Sequence, residues 1–302
     1  MRKKWLAVGL AVGLTGVLAW GIGGSANADS TGFVLYKSAL SQTKEAGSMT
    51  AHAQLELTDN GSKLFAVDGV AKVDHEQQLA SVNGSYSNAN GEGSFQVFRQ
   101  QDQVVFKKGD SDVYRVMETI GWGRKAQRDD HGEPSAVMSH MHNMLFGEIG
   151  KEMTVENLPN GGKQVSLQLS EEQLPMFAKF IGPMVYSKIA EHSQEAAAAH
   201  EHGPAVKLPL LQEDVQLAQV VLNATINEKN QIEQQTAKVE LVGTDAAGIE
   251  HTLRLSVDIR LSDLAATAPE QIDLTGKQVE KITREELRNE WKKGGCWHHE
   301  AE

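Results

Sequence analysis

The sequence predicts an α+β domain in which two antiparallel β-meanders are separated by a helical insertion. Apolar and polar residues alternate with period two over residues 49–109 and again over 214–263, as in strands with one buried face. The period changes to that of helices over about 112–204. No internal repeat or long linker divides the meanders, so residues 29–282 are predicted to form a single domain.

An amphipathic helix is predicted ahead of the first meander, over residues 32–47. Phe33, Tyr36 and Leu40 fall on one face of this helix. The pair Ser30-Thr31 offers an N-cap, and a glycine at the end of the segment offers a stop. The helix is therefore expected to pack its aromatic face on the sheet.

The strands of both meanders are bounded by turn residues. MTAHAQLEL runs to a turn at Asp59-Asn60-Gly61 and returns as KLFAVDGVAKV. The first meander then continues through QLASVNGSYS, GSFQVFRQ and QVVFKKG. The second consists of DVQLAQVVLNATINE, QIEQQTAKVELVGT and GIEHTLRLSVDIRLSD. Each strand therefore has a polar and an apolar side.

The insertion between the meanders is predicted to be mainly helical. VYRVMETIGW and EPSAVMSHMHNMLFGEIG have the pattern of short helices. A hairpin follows, with its turn at Asn160-Gly161-Gly162. Ser170 and Gln173 then form a capping box for another helix, which Pro183 is expected to kink or break.

The N-terminus has the pattern of a secretory signal peptide, residues 1–28. A basic start, Arg2-Lys3-Lys4, precedes an apolar run and a small-residue cleavage site that ends at Ala28. The alternative is an uncleaved membrane anchor, because the apolar run is about long enough to span a bilayer. Either way, the sequence predicts an exported protein that is secreted or resides in the cell envelope.

Charge and cysteine content narrow the classes of partner. The formal net charge of −11 argues against binding to nucleic acid or to anionic membranes. Residues 283–302 are predicted to form a C-terminal helix, capped by Thr283 and Glu286, and a flexible tail. The single cysteine, Cys296, lies in that tail and offers an intermolecular disulfide as one route to a dimer.

A family resemblance accompanies these patterns. YKSALSQTKEAGS running into TAHAQLEL, and the middle strands ASVNGSYSNANGEGSFQVFRQQDQVVFKKGDSDVYRVM, resemble bacterial LolA/LppX-type lipoprotein and lipid carriers. The similarity extends over most of residues 32–275 as an order of elements, without a diagnostic motif. The resemblance implies a LolA-like half-barrel: a curved, unclosed antiparallel sheet wrapped around helices, with space between them for acyl chains.

The stretch MSHMHNM at residues 138–144 has two interpretations. Its thioether and imidazole groups suggest copper, but a helical period places His140 and His142 on opposite sides, so they cannot bind one ion. Methionine also lines adaptable apolar surfaces. We therefore favour a hydrophobic, Met-lined groove that binds a lipid, and the predicted groove residues are Met138, Met141, Leu145, Phe177, Ile181 and Met184.

Neither a metal site nor a cofactor site is predicted. Potential ligands occur at His200, His202, Cys296, His298 and His299, but their spacing matches no closed zinc site, and whether they bind metal stays open. The sequence lacks a nucleophile elbow, a zincin motif, a P-loop and a dinucleotide fingerprint. A non-enzymatic protein is therefore expected.

The sequence thus favours an exported protein that binds or carries a lipid or another amphiphile. The alternative is an envelope interaction or sensory module in which the helices plug the sheet and only proteins bind. A copper-binding protein is the third and least favoured interpretation. The discriminating feature is whether sheet and helices enclose an apolar space.

Overall fold

The computed structural model describes residues 30–100, 102–109, 111–118, 149–199 and 206–283. Within these ranges the chain forms one large sheet, two complete helices and a last helical turn at residues 149–151. The predicted signal peptide, the MSHMHNM stretch and the tail after residue 283 lie outside the described residues.

Twelve strands make up the sheet. In chain order they are β1 (Ser48–Asp59), β2 (Ser62–Asp74), β3 (Leu79–Asn88), β4 (Gly91–Gln100), β5 (Gln103–Lys108), β6 (Val113–Glu118), β7 (Thr154–Asn157), β8 (Lys163–Ser170), β9 (Leu211–Ile226), β10 (Ile232–Asp245), β11 (Glu250–Ser262) and β12 (Gln278–Ile282). The helices are α1 (Thr31–Lys44) and α2 (Met176–Ala199), and a 3₁₀ turn spans Glu171–Gln173.

The spatial order is β12-β6-β5-β4-β3-β2-β1-β11-β10-β9-β8-β7, so β12 and β7 are the two edges and the sheet is unclosed. All neighbouring strands pair antiparallel except β12 and β6, which are parallel. The two meanders meet where β1 pairs with β11, with Ala51 opposite Leu261 and Leu55 opposite Val257. The coarse prediction of a large antiparallel meander sheet is therefore confirmed.

Helix α1 begins as predicted. The Ser30 side chain caps it by accepting a hydrogen bond of 3.2 Å from the backbone N–H of Phe33. Phe33, Tyr36 and Leu40 are all buried on the sheet. Gly47, with a φ of +77°, then turns the chain into β1.

The helix predicted for VYRVMETIGW is wrong over its first part, because Val113–Glu118 is strand β6. Both sides of this strand are covered. Val116 packs with Phe98 and Val105 on one face of the sheet, and its neighbour Met117 is buried as well. A strand buried on both sides shows no alternation, so its pattern is hard to tell from that of a helix.

Of the kink or break predicted at Pro183, the break is not seen, since α2 is continuous from Met176 to Ala199. Contacts hold the helix on both sides of the proline. Just before it, Gly182 lies beside Leu217 of β9. Just after it, the Tyr186 hydroxyl donates a 2.7 Å hydrogen bond to the carbonyl of Pro209. We infer that this packing offsets the missing backbone donor.

The predicted hairpin turn of the insertion is confirmed, whereas the predicted capping box opens a 3₁₀ turn and not the helix itself. The hairpin of β7 and β8 turns at residues 160–162. Ser170 and Gln173 form the capping box, which opens the 3₁₀ turn, and α2 begins three residues after it. The insertion therefore contributes strands β7 and β8 to one edge of the sheet in addition to a helix. Residues 119–148 lie outside the described ranges, so the predicted wrapping of the insertion by the sheet stays a prediction.

The main core lies on one face of the sheet. It joins α1 to apolar side chains of β1–β4 and β8–β11. On the opposite face, the segment after β11 crosses towards β6. Its Glu270 bonds to Lys72 and Asn83, and Ile272 exchanges two 2.8 Å hydrogen bonds with Gln100. This strap covers a small second cluster and delivers the chain to β12.

Candidate functional site

The apolar face of the sheet is the candidate site, because the predicted groove would lie over it. Of the predicted groove residues, three lie outside the described ranges: Met138, Met141 and Leu145. Phe177 and Ile181 lie on α2, but their side chains are outside the description. Met184 is 51% exposed on the same helix. The groove contacts therefore remain predictions.

Among the described residues of helix α2, small ones lie at its packed positions. Gly182 faces Leu217, and Ala178 and Ala190 are buried. Met184 is two residues beyond Gly182, which corresponds to a rotation of about 200° around a helix. Met184 accordingly lies away from the contact with β9, which agrees with its exposure.

Helix α1 covers only one end of the apolar face. Beneath it, Ala53 of β1, Ile259 of β11 and Ala224 of β9 are fully buried in one cross-strand row. Gln235 of β10 completes this row and accepts a 2.8 Å hydrogen bond from the Tyr36 hydroxyl. Burial raises the pKa of Tyr36, so its phenol stays protonated and acts as the donor.

Beyond α1, the same four strands carry apolar side chains that are only partly buried. We name this set the apolar floor. Its first row pairs Leu55 with Val257, Ala237 and Leu222 across the strands, and its second row consists of Leu57, Leu255, Val239 and Val220. The floor continues the core, yet the solvent reaches it.

Strand β11 shows the change from covered to open within one strand. Leu253, Ile259 and Leu261 point to the apolar face and are buried, whereas Leu255 and Val257 between them are partly exposed. Side chains two apart on a strand share one face. The opening therefore lies in the middle of the strand and is bordered by packed core at both ends.

A charged cluster closes the far end of the floor. The His251 Nδ1 lies 2.7 Å from Asp59 Oδ2, and its Nε2 lies 3.5 Å from Asp245 Oδ2. Burial of the ring opposes its charge, but the two carboxylates, Asp59 first, outweigh this effect and raise the pKa of His251. The pKa of Tyr186 on α2 is also raised, by burial and by the charge of Asp59.

The opposite face of the same strands forms a polar cleft with a volume of about 1610 Å³. Its wall includes Gln54, Asp68 and Asp258, which alternate with floor residues along the chain. The wall also includes turns between strands, with Asn90 between β3 and β4 and Gly109 between β5 and β6. The sequence signal for this cleft was the polar half of the alternation, as in QLEL at 54–57, which we interpreted only as the polar side of each strand.

Among the described residues, no group of three or more His, Cys, Asp and Glu side chains could hold a metal ion. In the same ranges, no helix is both long and apolar enough to cross a membrane. The histidines and the cysteine considered as metal ligands, together with the MSHMHNM stretch, lie outside the described residues.

The fold and the site thus define a class: a large, mostly antiparallel, unclosed sheet with a few helices on one face. No family model matches the chain, and no curated protein matches it in sequence.

Solved structures with similarity to the chain include an uncharacterized conserved protein from Thermus thermophilus, with 8% identity, a TM-score of 0.29 and coverage of 82% of this chain and 99% of that one. A LolA superfamily protein from Nitrosomonas europaea has 7% identity and a TM-score of 0.21, with coverage of 79% and 96%. The ywiB protein from Bacillus subtilis has 7% identity and a TM-score of 0.14, with coverage of 71% and 91%. Scores of this size do not establish a shared fold.

Proposed function

We propose that the protein binds the acyl chain of a lipid or another amphiphile on the apolar floor and carries it outside the cytoplasmic membrane. The observation that carries the proposal is the floor itself: two cross-strand rows of partly exposed apolar side chains that continue a packed core. Contiguous apolar surface of this kind marks interaction sites.

Branched apolar side chains without fixed charges suit an acyl chain. Burial yields about 0.8 kcal/mol per methylene, so roughly fourteen methylenes give about 11 kcal/mol. Subtracting an association cost of about 4 kcal/mol, the lower end of its range, leaves about 7 kcal/mol. That corresponds to a micromolar Kd, which allows both loading and release.

The remaining parts of the proposal come from the sequence. Met138, Met141 and Leu145 belong to the insertion and would cover the floor with adaptable side chains. The signal-peptide pattern supports a location in the envelope or outside the cell. The absence of catalytic motifs in the sequence supports a non-enzymatic carrier, and Cys296 offers a disulfide-linked dimer.

The test compares two valine-to-tryptophan variants in binding a fluorescent fatty acyl probe. Val239 lies in the second row of the floor, while Val279 is 40% exposed on the edge strand β12. The parent and Val279→Trp should bind the probe saturably at micromolar concentration. Val239→Trp should bind at least about tenfold more weakly, because its indole occupies the space for the chain.

A plugged module that binds only proteins gives the opposite result. The parent then takes up no probe, and Val239→Trp loses about 1–3 kcal/mol of stability through overpacking. Equal probe binding by Val239→Trp and the parent would also refute binding on the floor. Urea unfolding of each variant separates loss of the site from loss of the fold.

A further inference from the structure

The polar cleft lies on the other side of the sheet from the apolar floor. The lining of the cleft includes Leu55, Ala237 and Val257 of the floor, but its polar side chains alternate with these residues along the strands and point to the opposite face. The cleft crosses eight neighbouring strands, from β9 through β11 and β1 to β5. A ligand held by these polar side chains would therefore contact other groups than an acyl chain on the floor.

One cross-strand row of polar side chains runs along the wall of the cleft. Strand register aligns one residue from each of seven consecutive strands: Asn223, Thr236, Asp258, Gln54, Asp68, Ser85 and Ser94. We name this set the polar row. Neighbouring strands are about 4.8 Å apart, so the row presents a hydrogen-bonding group at that interval.

Hydrogen bonds within the sheet hold parts of the polar row in place. Gln54 donates a 2.7 Å bond to Asp68, and Asn223 donates a 3.5 Å bond to Thr236. The bond from Gln54, with help from His52, keeps the pKa of Asp68 below its usual range. Asp68 is therefore a carboxylate at neutral pH, and its other lone pairs can accept hydrogen bonds from a ligand.

The charges of the cleft select against anions. Besides Asp68 and Asp258, its wall carries Glu56 and Glu92, and the cations among its lining residues are Lys108 and Lys238. Lys238 also lies 3.9 Å from a carboxylate oxygen of Glu240. The wall is therefore net acidic, which disfavours phosphate-rich and sulfated polymers and favours neutral or cationic ligands.

The size of the cleft indicates an elongated ligand. Sites for small molecules usually enclose about 300–1,000 Å³, and this cleft is larger, at about 1610 Å³. An extended peptide advances about 3.3 Å per residue and repeats its facing side chains at about 6.7 Å, which does not match strands about 4.8 Å apart. In a linear glycan, by contrast, the repeat from one sugar ring to the next is close to the distance between neighbouring strands. Each ring also carries hydroxyl groups on both of its edges.

We propose that the polar cleft binds a linear oligosaccharide, neutral or amino-bearing, laid along the polar row at right angles to the strands. The carboxylates and amides of the row accept from and donate to its hydroxyl groups, about one sugar ring for each strand crossed. The protein then has two ligand surfaces, an apolar one and a glycan-binding one, on opposite faces of one sheet.

The test titrates the full-length protein with chitooligosaccharides of increasing length, in N-acetylated and deacetylated form, and with sulfated heparin fragments. Affinity should rise with length and level off at about seven sugar rings, the number of strands that the polar row crosses. The deacetylated, cationic form should bind at least as well as the neutral form, and heparin fragments should not bind.

A matched pair of variants locates the binding. Ser256 lines the cleft, whereas Ser262 lies on the same strand and the same face, is exposed, and is outside the cleft. Ser256→Trp should weaken oligosaccharide binding at least about tenfold, which corresponds to the loss of about one net hydrogen bond or more. Ser262→Trp should leave oligosaccharide binding unchanged. Urea unfolding should show that both variants are folded.

Three outcomes would overturn the proposal. One is that neither chitooligosaccharide form binds. Another is that heparin fragments, or an extended cationic peptide used as a competitor, bind in their place. The last is that Ser256→Trp and Ser262→Trp bind equally well. The acyl probe reports on the opposite face, so these outcomes leave the carrier proposal unaffected.

Discussion

Three leucines of β11 provide a direct measurement of whether the apolar floor is open. Leu253 and Leu261 are 3% and 8% exposed, and Leu255 between them is partly exposed on the same face. Each can be replaced by alanine. The same atoms are removed in all three variants, so differences in unfolding free energy report on the surroundings.

The expected magnitudes follow from burial. Leu253→Ala and Leu261→Ala remove buried methyl groups and leave cavities, which should cost about 3 kcal/mol each, within the usual range of about 2–5 kcal/mol. Leu255→Ala should cost about 1 kcal/mol. Part of its side chain already contacts solvent, and an open floor leaves no closed cavity behind.

Urea unfolding followed by circular dichroism measures these differences, with the m-value as a check that the unfolded state is unchanged. A cost for Leu255→Ala equal to that of the two controls would refute the reasoning. It would show that packed side chains cover the floor and that the sheet encloses a plugged core. Saturating acyl ligand at about 100 times its Kd should also stabilise the parent by about 2.7 kcal/mol.

Three further predictions concern single positions. Thr43→Val should cost about 1–3 kcal/mol in urea unfolding, because the buried Thr43 hydroxyl accepts a 2.8 Å hydrogen bond from the backbone N–H of Ile232, which would lose its partner. The pKa of His251 is raised above its unfolded value of 6.5, so the ion pair with Asp59 stabilises the fold fully below pH 6.5, and this stabilisation is lost as pH rises through the folded pKa. His251→Gln should make the unfolding free energy less dependent on pH in this range. A pH profile identical to that of the parent would contradict the ion pair's role. Met141→Trp should abolish acyl-probe uptake while changing the unfolding free energy by less than about 1.5 kcal/mol; uptake equal to that of the parent would remove Met141 from the site.

The first meander was predictable because its strands bury one face. In β1, Met49, Ala51 and Ala53 are buried while the residues between them are more exposed, and this difference is present in the letters of the sequence. Strand β12 was not predicted. It is a short edge strand that is held by its parallel pairing with β6. Most of its side chains are exposed, so its sequence shows no alternation of buried apolar and exposed polar residues.

The candidate site was predictable only in part. The sequence indicates that Leu255 and Val257 share a face with Ile259, but it does not tell which of them a helix covers. The polar row depends on the register between Gln54 and Asp258, which lie in different meanders. Local patterns contain no information on such a register, and the alignment emerges only in three dimensions.

The pairing of β1 with β11 has a consequence for the order of assembly. Thr50 lies opposite Ser262 and Asp59 opposite Leu253, so the partners are roughly 200 residues apart in the chain. Contacts this distant form slowly. A nascent chain therefore presents β1 as an unprotected edge until β11 has emerged, and such an edge can pair with another copy. The seam between β1 and β11, near the centre of the sheet, thus closes late, and refolding yield should fall as protein concentration rises.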